Sequence, residues 1–317
     1  MSAANKNAST EAAALSPFRP GNDDLYQRWR DAKLNTYPES AEQLVVEIAD
    51  ANNPGAAELS RISQICTKTN MAIYATAAGD REDRNIARTI GARLGLRHLD
   101  PNMLADEDGI TSLTVVEGKS GRGYIPYSSH RLLWHTDGYY NLPEHKIRAM
   151  LLHCVRPAAE GGENMLLDPE IAYILMREAD PAHVEALMQP DAMTIPANTE
   201  TGVETREARS GPVFSIDTAT GDLHMRYTAR TRSIEWKQDD ATRAAVAFLE
   251  ELLESQSPYI FRNRLSAGQG LICNNVLHNR TAFADNASAP RLVYRARYYE
   301  RIAETEWKRL TDGDNQL

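Results

Sequence analysis

The sequence predicts an α+β, mainly β protein, in which a barrel or sandwich of strands is decorated by helices. Helical periodicity is concentrated in the first third of the chain, before residue 110. Short apolar runs bounded by turn residues follow, as is typical of strands. One amphipathic helix, near residues 239–255, interrupts them. Many strands with few helices favour a core built between sheets.

The N-terminal part, residues 17–109, is predicted to combine helices with a strand. Residues 1–16 lack the charged start and the apolar stretch of a secretory signal, so we expect a mobile tail there. The spacing of apolar residues predicts helices in SAEQLVVEIADA (40–51), AAELSRISQICTKTN (56–70) and REDRNIARTIGARLGLRH (81–98), and a strand in MAIYATA (71–77). In the third helix, Ile86, Ile90 and Leu94 share one face.

Strands dominate residues 110–317. The runs that predict them are ITSLTVVEG (110–118), RAMLLHCVRP (148–157), GPVFSIDTATGDLHMRYT (211–228), SPYIFRNRL (257–265), GQGLICNN (268–275) and PRLVYRARYYE (290–300). Thr220-Gly221-Asp222 suits the turn of a hairpin. The helix near residues 239–255 is predicted to begin at Asp239 or Asp240 and to bury Val246, Leu249, Leu252 and Leu253.

Composition limits the class of protein. A content of 42% hydrophobic and 25% charged residues is typical of a soluble globular protein, and 317 residues allow one large or two small domains. We predict a single domain over residues 17–317. No apolar run approaches the roughly 20 residues of a membrane span. The formal net charge of −9 argues against a nucleic-acid partner.

The three cysteines, Cys66, Cys154 and Cys273, are widely separated in the sequence. This spacing predicts reduced core thiols and neither a zinc module nor a disulfide framework. We therefore expect a cytoplasmic protein that binds neither membranes nor nucleic acid. The sequence does not decide between a monomer and a homo-oligomer.

The first candidate ligands lie in SSHRLLWHTDGYYN, residues 128–141. On an extended strand His135 and Asp137 project to the same side. His130 has the opposite parity, so we interpret it as structural. His278 in NNVLHNRTAF (274–283) is the best third ligand, since it follows an apolar strand. Two histidines and one carboxylate suit non-haem Fe(II) oxygenases, although zinc hydrolases use the same ligand types.

The order His-x-Asp, a distant His, then an Arg on the next strand resembles the Fe(II)/2-oxoglutarate-dependent dioxygenases of the taurine dioxygenase (TauD/TfdA) superfamily. WHTDGYY (134–140) is similar to its metal motif, and NNVLHNRTAFADNASAPRLVYRARYY (274–299) to its closing segment. LLHCVRPAAEGGENMLLD (151–168) is similar to its Gly-Gly stretch, with some likeness to the γ-butyrobetaine hydroxylase branch. The resemblance covers about residues 110–300.

The resemblance implies a double-stranded β-helix (jelly-roll) core with flanking helices, and His135, Asp137 and His278 as iron ligands. It implies that Arg291 holds the far carboxylate of the cosubstrate 2-oxoglutarate, as a guanidinium can do with two parallel bonds. Many members have a threonine where this chain has Asn164, which is another hydrogen-bond donor. The implied reaction uses Fe(II), 2-oxoglutarate and dioxygen to hydroxylate or desaturate an unactivated C–H bond of a small molecule, releasing succinate and carbon dioxide.

Two further arginines share the strand parity of Arg291. Arg295 is a candidate for the near carboxylate of 2-oxoglutarate or for an anionic substrate group. Arg297 is predicted to belong to a solvated face of the strand.

The substrate wall is predicted at Tyr139, Tyr140 and Asn141, directly after the metal motif. Aromatic faces there suit a small amine or a quaternary ammonium compound. A sulfonate or carboxylate substrate requires a spare arginine such as Arg295, so the charge of the substrate stays open at this point.

Two alternatives keep the same fold. The same chemistry can act on a residue of a protein or on a carrier-bound amino acid, and a peptide of that kind needs a long open groove where a small molecule needs a closed pocket. A metal-binding jelly-roll without turnover is the second alternative, against which the complete ligand set and Arg291 argue.

Overall fold

The computed structural model of the chain describes residues 13–101, 109–115, 125–197, 206–231 and 234–307. The described residues fall into two units, whose bounds along the sequence are as follows. The sheet unit comprises Pro38–Leu166 and Ile260–Thr305, and the helical unit comprises Met1–Tyr37, Leu167–Tyr259 and Glu306–Leu317. The single domain predicted over residues 17–317 stays a prediction.

The strands are numbered in chain order. They are β1 (Val45–Ile48), β2 (Met71–Thr76), β3 (Thr111–Leu113), β4 (Leu132–His135), β5 (Ala149–Arg156), β6 (Glu160–Gly161), β7 (Asn164–Leu167), β8 (Met193–Ile195), β9 (Arg209–Gly211), β10 (Phe214–Ile216), β11 (Leu223–Met225), β12 (Glu235–Trp236), β13 (Phe261–Asn263), β14 (Gln269–Cys273), β15 (Leu277–Arg280), β16 (Phe283–Ala284) and β17 (Leu292–Tyr298). Strands β8 to β12 belong to the helical unit.

Two sheets of the sheet unit position the site. One has six strands in the order β1-β2-β14-β5-β17-β3, and the other has four in the order β13-β7-β15-β4. The chain alternates between them, since β4, β7, β13 and β15 lie in the second sheet while β5, β14 and β17 lie in the first. The pairs β13–β7, β15–β4, β14–β2, β14–β5, β17–β5 and β17–β3 are antiparallel, and the pair β1–β2 is parallel. This arrangement confirms the predicted jelly-roll.

The central strands β5 and β17 are buried on both faces. In β5, seven of eight residues are buried, and in β17 all seven are. A strand that is covered on both faces reads as a nearly continuous apolar run, which AMLLHCVR does. The sequence of β17, LVYRARY, instead places two arginines inside the sheet. Buried charges of this kind require partners, and they are described with the site.

The sheet unit also carries two helices, α2 (Ala56–Thr69) and α3 (Arg84–Arg93). Both were predicted, and Ile86, Ile90 and Leu94 are buried as expected. The helix predicted over residues 40–51 is wrong. A 3₁₀ turn over Ala41–Leu44 leads into β1, which pairs with β2. The β-branched run VVEI favours a strand, and its alternate residues are buried.

The helical unit contains α1 (Asp23–Leu34), α4 (Pro169–Ala179), α5 (Pro181–Leu187) and α6 (Asp240–Glu254). Only α6 was predicted; its N-cap is Asp239, whose side chain accepts a hydrogen bond from the Thr242 amide at 2.7 Å. The predicted hairpin is confirmed, since β10 pairs with β11.

The predicted mobile tail, residues 1–16, lies mostly outside the described residues. At its end Ser16 is buried, and its hydroxyl donates to the Gly221 carbonyl at 2.7 Å. Each helix in the described part of the chain is too short or too polar to cross a lipid bilayer.

Candidate metal centre

The pairing of β4 with β15 brings two histidines together. His135 lies opposite His278 in the register, and their ring centroids are 4.2 Å apart. Asp137 follows His135 just beyond the end of β4, and its Oδ1 lies 3.7 Å from His135 Nε2. One ligand atom from each of the three residues lies within 4.8 Å of the others. All three side chains are buried, and they are the three residues that the sequence predicted as ligands.

The backbone selects the same tautomer for both histidines. His135 Nδ1 lies 2.8 Å from the Leu133 carbonyl, and His278 Nδ1 lies 2.9 Å from the Val276 carbonyl. A carbonyl oxygen only accepts, so each Nδ1 carries the proton and each Nε2 keeps its lone pair. Burial lowers the pKa of His135 to about 3 and also lowers the pKa of His278. Both rings are therefore neutral near pH 7, as metal ligands must be.

Asp137 is the anionic member of the cluster. Burial alone would raise the pKa of its carboxyl group, but the positive charges of Arg295 and Arg297 outweigh burial and hold that pKa well below its usual range. Arg295 Nη1 donates to Asp137 Oδ1 at 3.4 Å. The other oxygen, Oδ2, is buried without a hydrogen-bond partner among the described residues. A buried carboxylate oxygen of this kind suits a metal ion.

The prediction of a solvated Arg297 is wrong. Its side chain is 3% exposed. The guanidinium forms an ion pair with Asp100 and donates to the Tyr140 hydroxyl oxygen at 3.0 Å. Tyr299 also donates to Asp100, at 2.8 Å. The strand parity of Arg297 was identified correctly, but on a central strand both faces are covered, so neither parity reaches solvent.

Arg291 lines a narrow cleft whose walls include none of the three cluster residues. Its side chain is buried, and Nη1 has no hydrogen-bond partner among the described residues. The cleft walls include Leu152, Cys154, Gly161, Gly162, Asn164 and Arg291. Asn164 donates through Nδ2 to the Asn279 carbonyl at 2.8 Å. The Nη1 group of Arg291 thus remains available to a carboxylate or another anion.

The glycine pair Gly161-Gly162 lies at the end of β6, where the backbone conformation and the available space both favour glycine. Both residues have positive φ angles, +69° and +74°. A Cβ atom on Gly161 would lie 2.2 Å from the Ala282 carbonyl oxygen, whereas a Cβ atom on Gly162 would lie 4.0 Å from Arg291 Nε. The pair therefore brings backbone close to β16 and to the cleft.

The residues of the predicted substrate wall already contact other parts of the protein. Tyr139 and Tyr140 pack edge to face with ring centroids 5.1 Å apart, and both are half-buried. The ring of Tyr140 already lies 5.9 Å from the Arg297 guanidinium. Asn141 donates to the His145 carbonyl at 2.9 Å and to Asp100 at 3.5 Å, so its amide holds the loop.

Three further histidines of the sheet unit, His130, His98 and His153, are not part of the cluster. His130 is exposed, which agrees with its interpretation as structural. His98 pairs with Glu300. His153 is buried, 3.1 Å from the Tyr74 hydroxyl, and burial lowers its pKa to about 4.

Two residues near the cluster were not predicted. Asp100 lies in a loop, and the sequence around it contains no recognisable motif. Its role could have been predicted only by knowing that Arg297 is buried and therefore needs an anionic partner. Asn275 accepts a hydrogen bond from the backbone amide of Asp137. The sequence feature that could have pointed to Asn275 is the Asn-Asn pair at the end of an apolar strand. Polar residues at such a point are commonly assigned to a turn.

The chain is similar in sequence to one family of dioxygenases and to two proteins of known name. The family model described as "Taurine catabolism dioxygenase TauD, TfdA family" matches residues 76–297. A uridine-5'-phosphate dioxygenase from Amycolatopsis sp is 33% identical over 174 residues, which are 53% of this chain and 61% of that protein. The match thus spans less than two thirds of that relative. One from Streptomyces sp is 30% identical over 244 residues, 73% of this chain and 83% of the relative.

Solved structures with a similar fold include asparagine oxygenase in complex with Fe(II), 3-hydroxyasparagine and succinate, with a TM-score of 0.56 and 14% identity over 94% of this chain and 92% of that one. The non-heme iron oxygenase OrfP gives the same TM-score, identity and coverage. At this identity the likeness concerns the fold.

Proposed function

The chain belongs to the taurine catabolism dioxygenase TauD, TfdA family, and from this we propose that it is an Fe(II)- and 2-oxoglutarate-dependent dioxygenase of a small organic molecule. In the net reaction one dioxygen molecule is consumed: one oxygen atom enters the substrate's C–H bond as a hydroxyl group, and the other enters succinate as 2-oxoglutarate loses carbon dioxide. The observation that carries the proposal is the buried cluster of His135, Asp137 and His278, with ligand atoms within 4.8 Å.

The cluster fits a divalent metal with open coordination positions. His135 and His278 would each offer Nε2, since Nδ1 is committed to a carbonyl, and Asp137 would offer a carboxylate oxygen. Two neutral imidazoles and one carboxylate leave positions for a chelating cosubstrate and dioxygen, which is the arrangement of non-haem Fe(II) oxygenases. When bound, the iron supplies the oxidising chemistry, and the protein supplies position and charge.

Arg291 is the proposed anchor for the far carboxylate of 2-oxoglutarate. It is buried in the cleft with an unsatisfied Nη1, and a planar guanidinium can bind a carboxylate with two charge-assisted bonds. Asn164 lines the same cleft and can add a donor. The contact of Arg295 with Asp137 supports a place for Arg295 nearer the metal.

The charges of the site favour an anionic substrate. With iron and 2-oxoglutarate bound, the metal charge balances Asp137 and the near carboxylate, Arg291 balances the far carboxylate, and Arg297 is balanced by Asp100. Arg295 contacts Asp137 at 3.4 Å, and once the metal charge balances that carboxylate, the Arg295 charge would be available to a substrate anion. A cationic substrate near Tyr140 would also face the resident Arg297, 5.9 Å from that ring.

A nucleoside 5'-phosphate is the substrate class that we propose. It is a small anion, and the two relatives in Amycolatopsis and Streptomyces are named uridine-5'-phosphate dioxygenases. Its phosphate would meet Arg295, while the organic part would lie against Tyr139 and Tyr140.

Succinate formation tests the proposal. Anaerobically purified protein loaded with Fe(II) is supplied with 2-oxoglutarate, dioxygen and either uridine-5'-phosphate, uridine or choline, and succinate is compared with substrate consumed. We expect one succinate per substrate with the phosphate and far less with uridine. Turnover of choline in place of the phosphate would refute the anionic assignment, and zinc in the purified protein with no succinate from any compound would refute the function.

A further inference from the structure

The side chain of Asn275 joins the two segments that carry the metal cluster. Its Oδ1 accepts from the Asp137 amide at 2.8 Å, and its Nδ2 donates to the Asp137 carbonyl at 3.0 Å. Nδ2 also donates to the Ile147 carbonyl at 2.8 Å. One amide group therefore satisfies both backbone polar groups of the residue whose carboxylate lies in the cluster, as a neighbouring strand would.

This contact lies where the strand ladder ends. Asp137 comes after the last residue of β4, and Gly138, which follows it, has a φ angle of +68°. The pairing of β4 with β15 reaches His135 opposite His278 and does not include Asp137. The backbone of Asp137 is thus held by a side chain at the point where strand pairing has stopped.

The residue at position 275 meets two requirements at once. Its φ angle is +51°, a left-handed conformation that glycine and asparagine adopt most readily. It is 3% exposed, so a polar side chain there needs hydrogen bonds, and the three bonds above supply them. Glycine would satisfy the first requirement without supplying the amide, whereas asparagine satisfies both.

We propose that Asn275 is a positioning residue that fixes the Asp137 carboxylate for metal binding, an inference that rests on the proposed function as an iron enzyme. His278 follows Asn275 by three residues, so the same turn sets the position of a histidine ligand and of the carboxylate ligand. Asn275 is not one of the three residues of the cluster. Its effect reaches the metal through the backbone of Asp137, as outer residues of metal sites commonly do.

The test compares two neighbouring asparagines. Asn275→Gly keeps the positive φ angle and removes all three hydrogen bonds. Asn274→Ala is the matched control, because Asn274 is also buried but bonds to Asn70, Thr305 and Ile302 instead of Asp137. Fe(II) affinity is measured anaerobically, by competition with a coloured chelator and without turnover. The midpoint of thermal unfolding and the 2-oxoglutarate requirement at saturating Fe(II) are measured beside it.

We expect Asn275→Gly to raise the Fe(II) dissociation constant by about 10- to 100-fold, the usual effect of losing an outer-shell partner, with an unchanged 2-oxoglutarate requirement. Asn274→Ala should lower the unfolding midpoint and leave the Fe(II) affinity of the folded protein unchanged. An unaltered Fe(II) affinity in folded Asn275→Gly, or an equal loss in both variants, would overturn the positioning role.

The unaltered protein provides an independent test that does not depend on how the variants fold. If Asn275 holds Asp137 before metal arrives, the Asp137 amide should already be protected from hydrogen exchange in metal-free protein. Exchange at the rate of an unprotected amide would overturn the proposal. Failure of the unaltered protein to bind Fe(II) would instead refute the proposed function, so the two failures are distinguishable.

Discussion

At the scale of the residue, substitution of one of the three proposed metal ligands is the most direct test of the ligand assignment. Replacing His278 with alanine removes one nitrogen ligand, so Fe(II) affinity should fall by more than the 10- to 100-fold that outer-shell changes cause. His130→Ala is the matched control, because His130 is exposed and at the opposite strand parity. Iron retained after anaerobic loading and desalting is the measurement. Equal iron content in the two variants would contradict the ligand assignment.

Substitutions of Arg291 and of Arg295 should affect different substrates, 2-oxoglutarate in the first case and the phosphate-bearing substrate in the second. Losing one partner of a buried, hydrogen-bonded charge pair costs about 2 to 5 kcal/mol, or at least roughly 30-fold in affinity. Arg291→Ala should therefore raise the 2-oxoglutarate requirement by at least that factor. Arg295→Gln should act mainly on the KM of the phosphate-bearing substrate. Titration of both variants with each substrate decides, and an unchanged 2-oxoglutarate requirement in Arg291→Ala would place the anchor elsewhere.

The Asp100–Arg297 pair makes a prediction about stability. Removing one member of a buried ion pair leaves the other charged and unpaired, at a cost of about 3 to 5 kcal/mol. Asp100→Asn should thus lower the free energy of unfolding by on the order of 3 kcal/mol in urea. Asp100→Leu combined with Arg297→Met should recover most of that loss, since no buried charge remains. A double variant as unstable as the single one would argue against an unpaired charge as the cause.

At the scale of the element, the end of β6 at Gly161-Gly162 predicts unequal effects of two similar substitutions. Alanine at 161 brings a Cβ atom to 2.2 Å from the Ala282 carbonyl oxygen, so β6 and β16 must separate. Alanine at 162 meets nothing closer than 3.6 Å and has only the positive φ angle to tolerate, at about 1 to 2 kcal/mol. Gly161→Ala should be the less stable in urea, and equal losses would contradict the steric account.

Several elements could be predicted because their own residues decide them. Helices α2, α3 and α6 have strong helical periodicity, and His135, Asp137 and His278 stand out by type and spacing. Strand β1 and Arg297 could not be predicted from local pattern. VVEI pairs with β2 and so becomes a strand, while Arg297 is buried because β17 lies inside a sheet. The strand conformation of VVEI and the burial of Arg297 both depend on residues that are distant in the sequence, and a single sequence does not show which residues those are.

At the scale of the whole molecule, buried histidines should make the metal-free protein sensitive to acid. The pKa values of His135 and His153 are lowered to about 3 and about 4, and that of His278 is lowered too. Below about pH 6.5 the unfolded chain binds protons that the folded chain does not, so the free energy of unfolding should fall as pH falls toward 4. Each histidine contributes at most about 1.4 kcal/mol per pH unit.

Urea unfolding of metal-free protein at pH 7, 6 and 5 measures this dependence. Asp137 also makes the free energy of unfolding fall with falling pH, but at a lower pH than the histidines. Its pKa lies below the usual range, so its contribution is lost only in stronger acid. In His153→Gln the dependence should be shallower, since that side chain does not titrate; Arg81 and Asp83, whose charges act on His153, are retained. A flat profile in the unaltered protein would contradict the prediction.

The placement of β17 between β5 and β3 has a consequence for how the protein is made. A ribosome delivers β5 long before β17, so a nascent chain exposes the open edge of β5 while synthesis continues, and open edges invite aggregation. Pairing of residues so distant in sequence is also slow. His135 and Asp137 must likewise await His278, and Arg295 arrives later still. The proposed iron site can therefore form only after His278 has been synthesised, and a chain truncated before residue 278 should retain no Fe(II) after desalting.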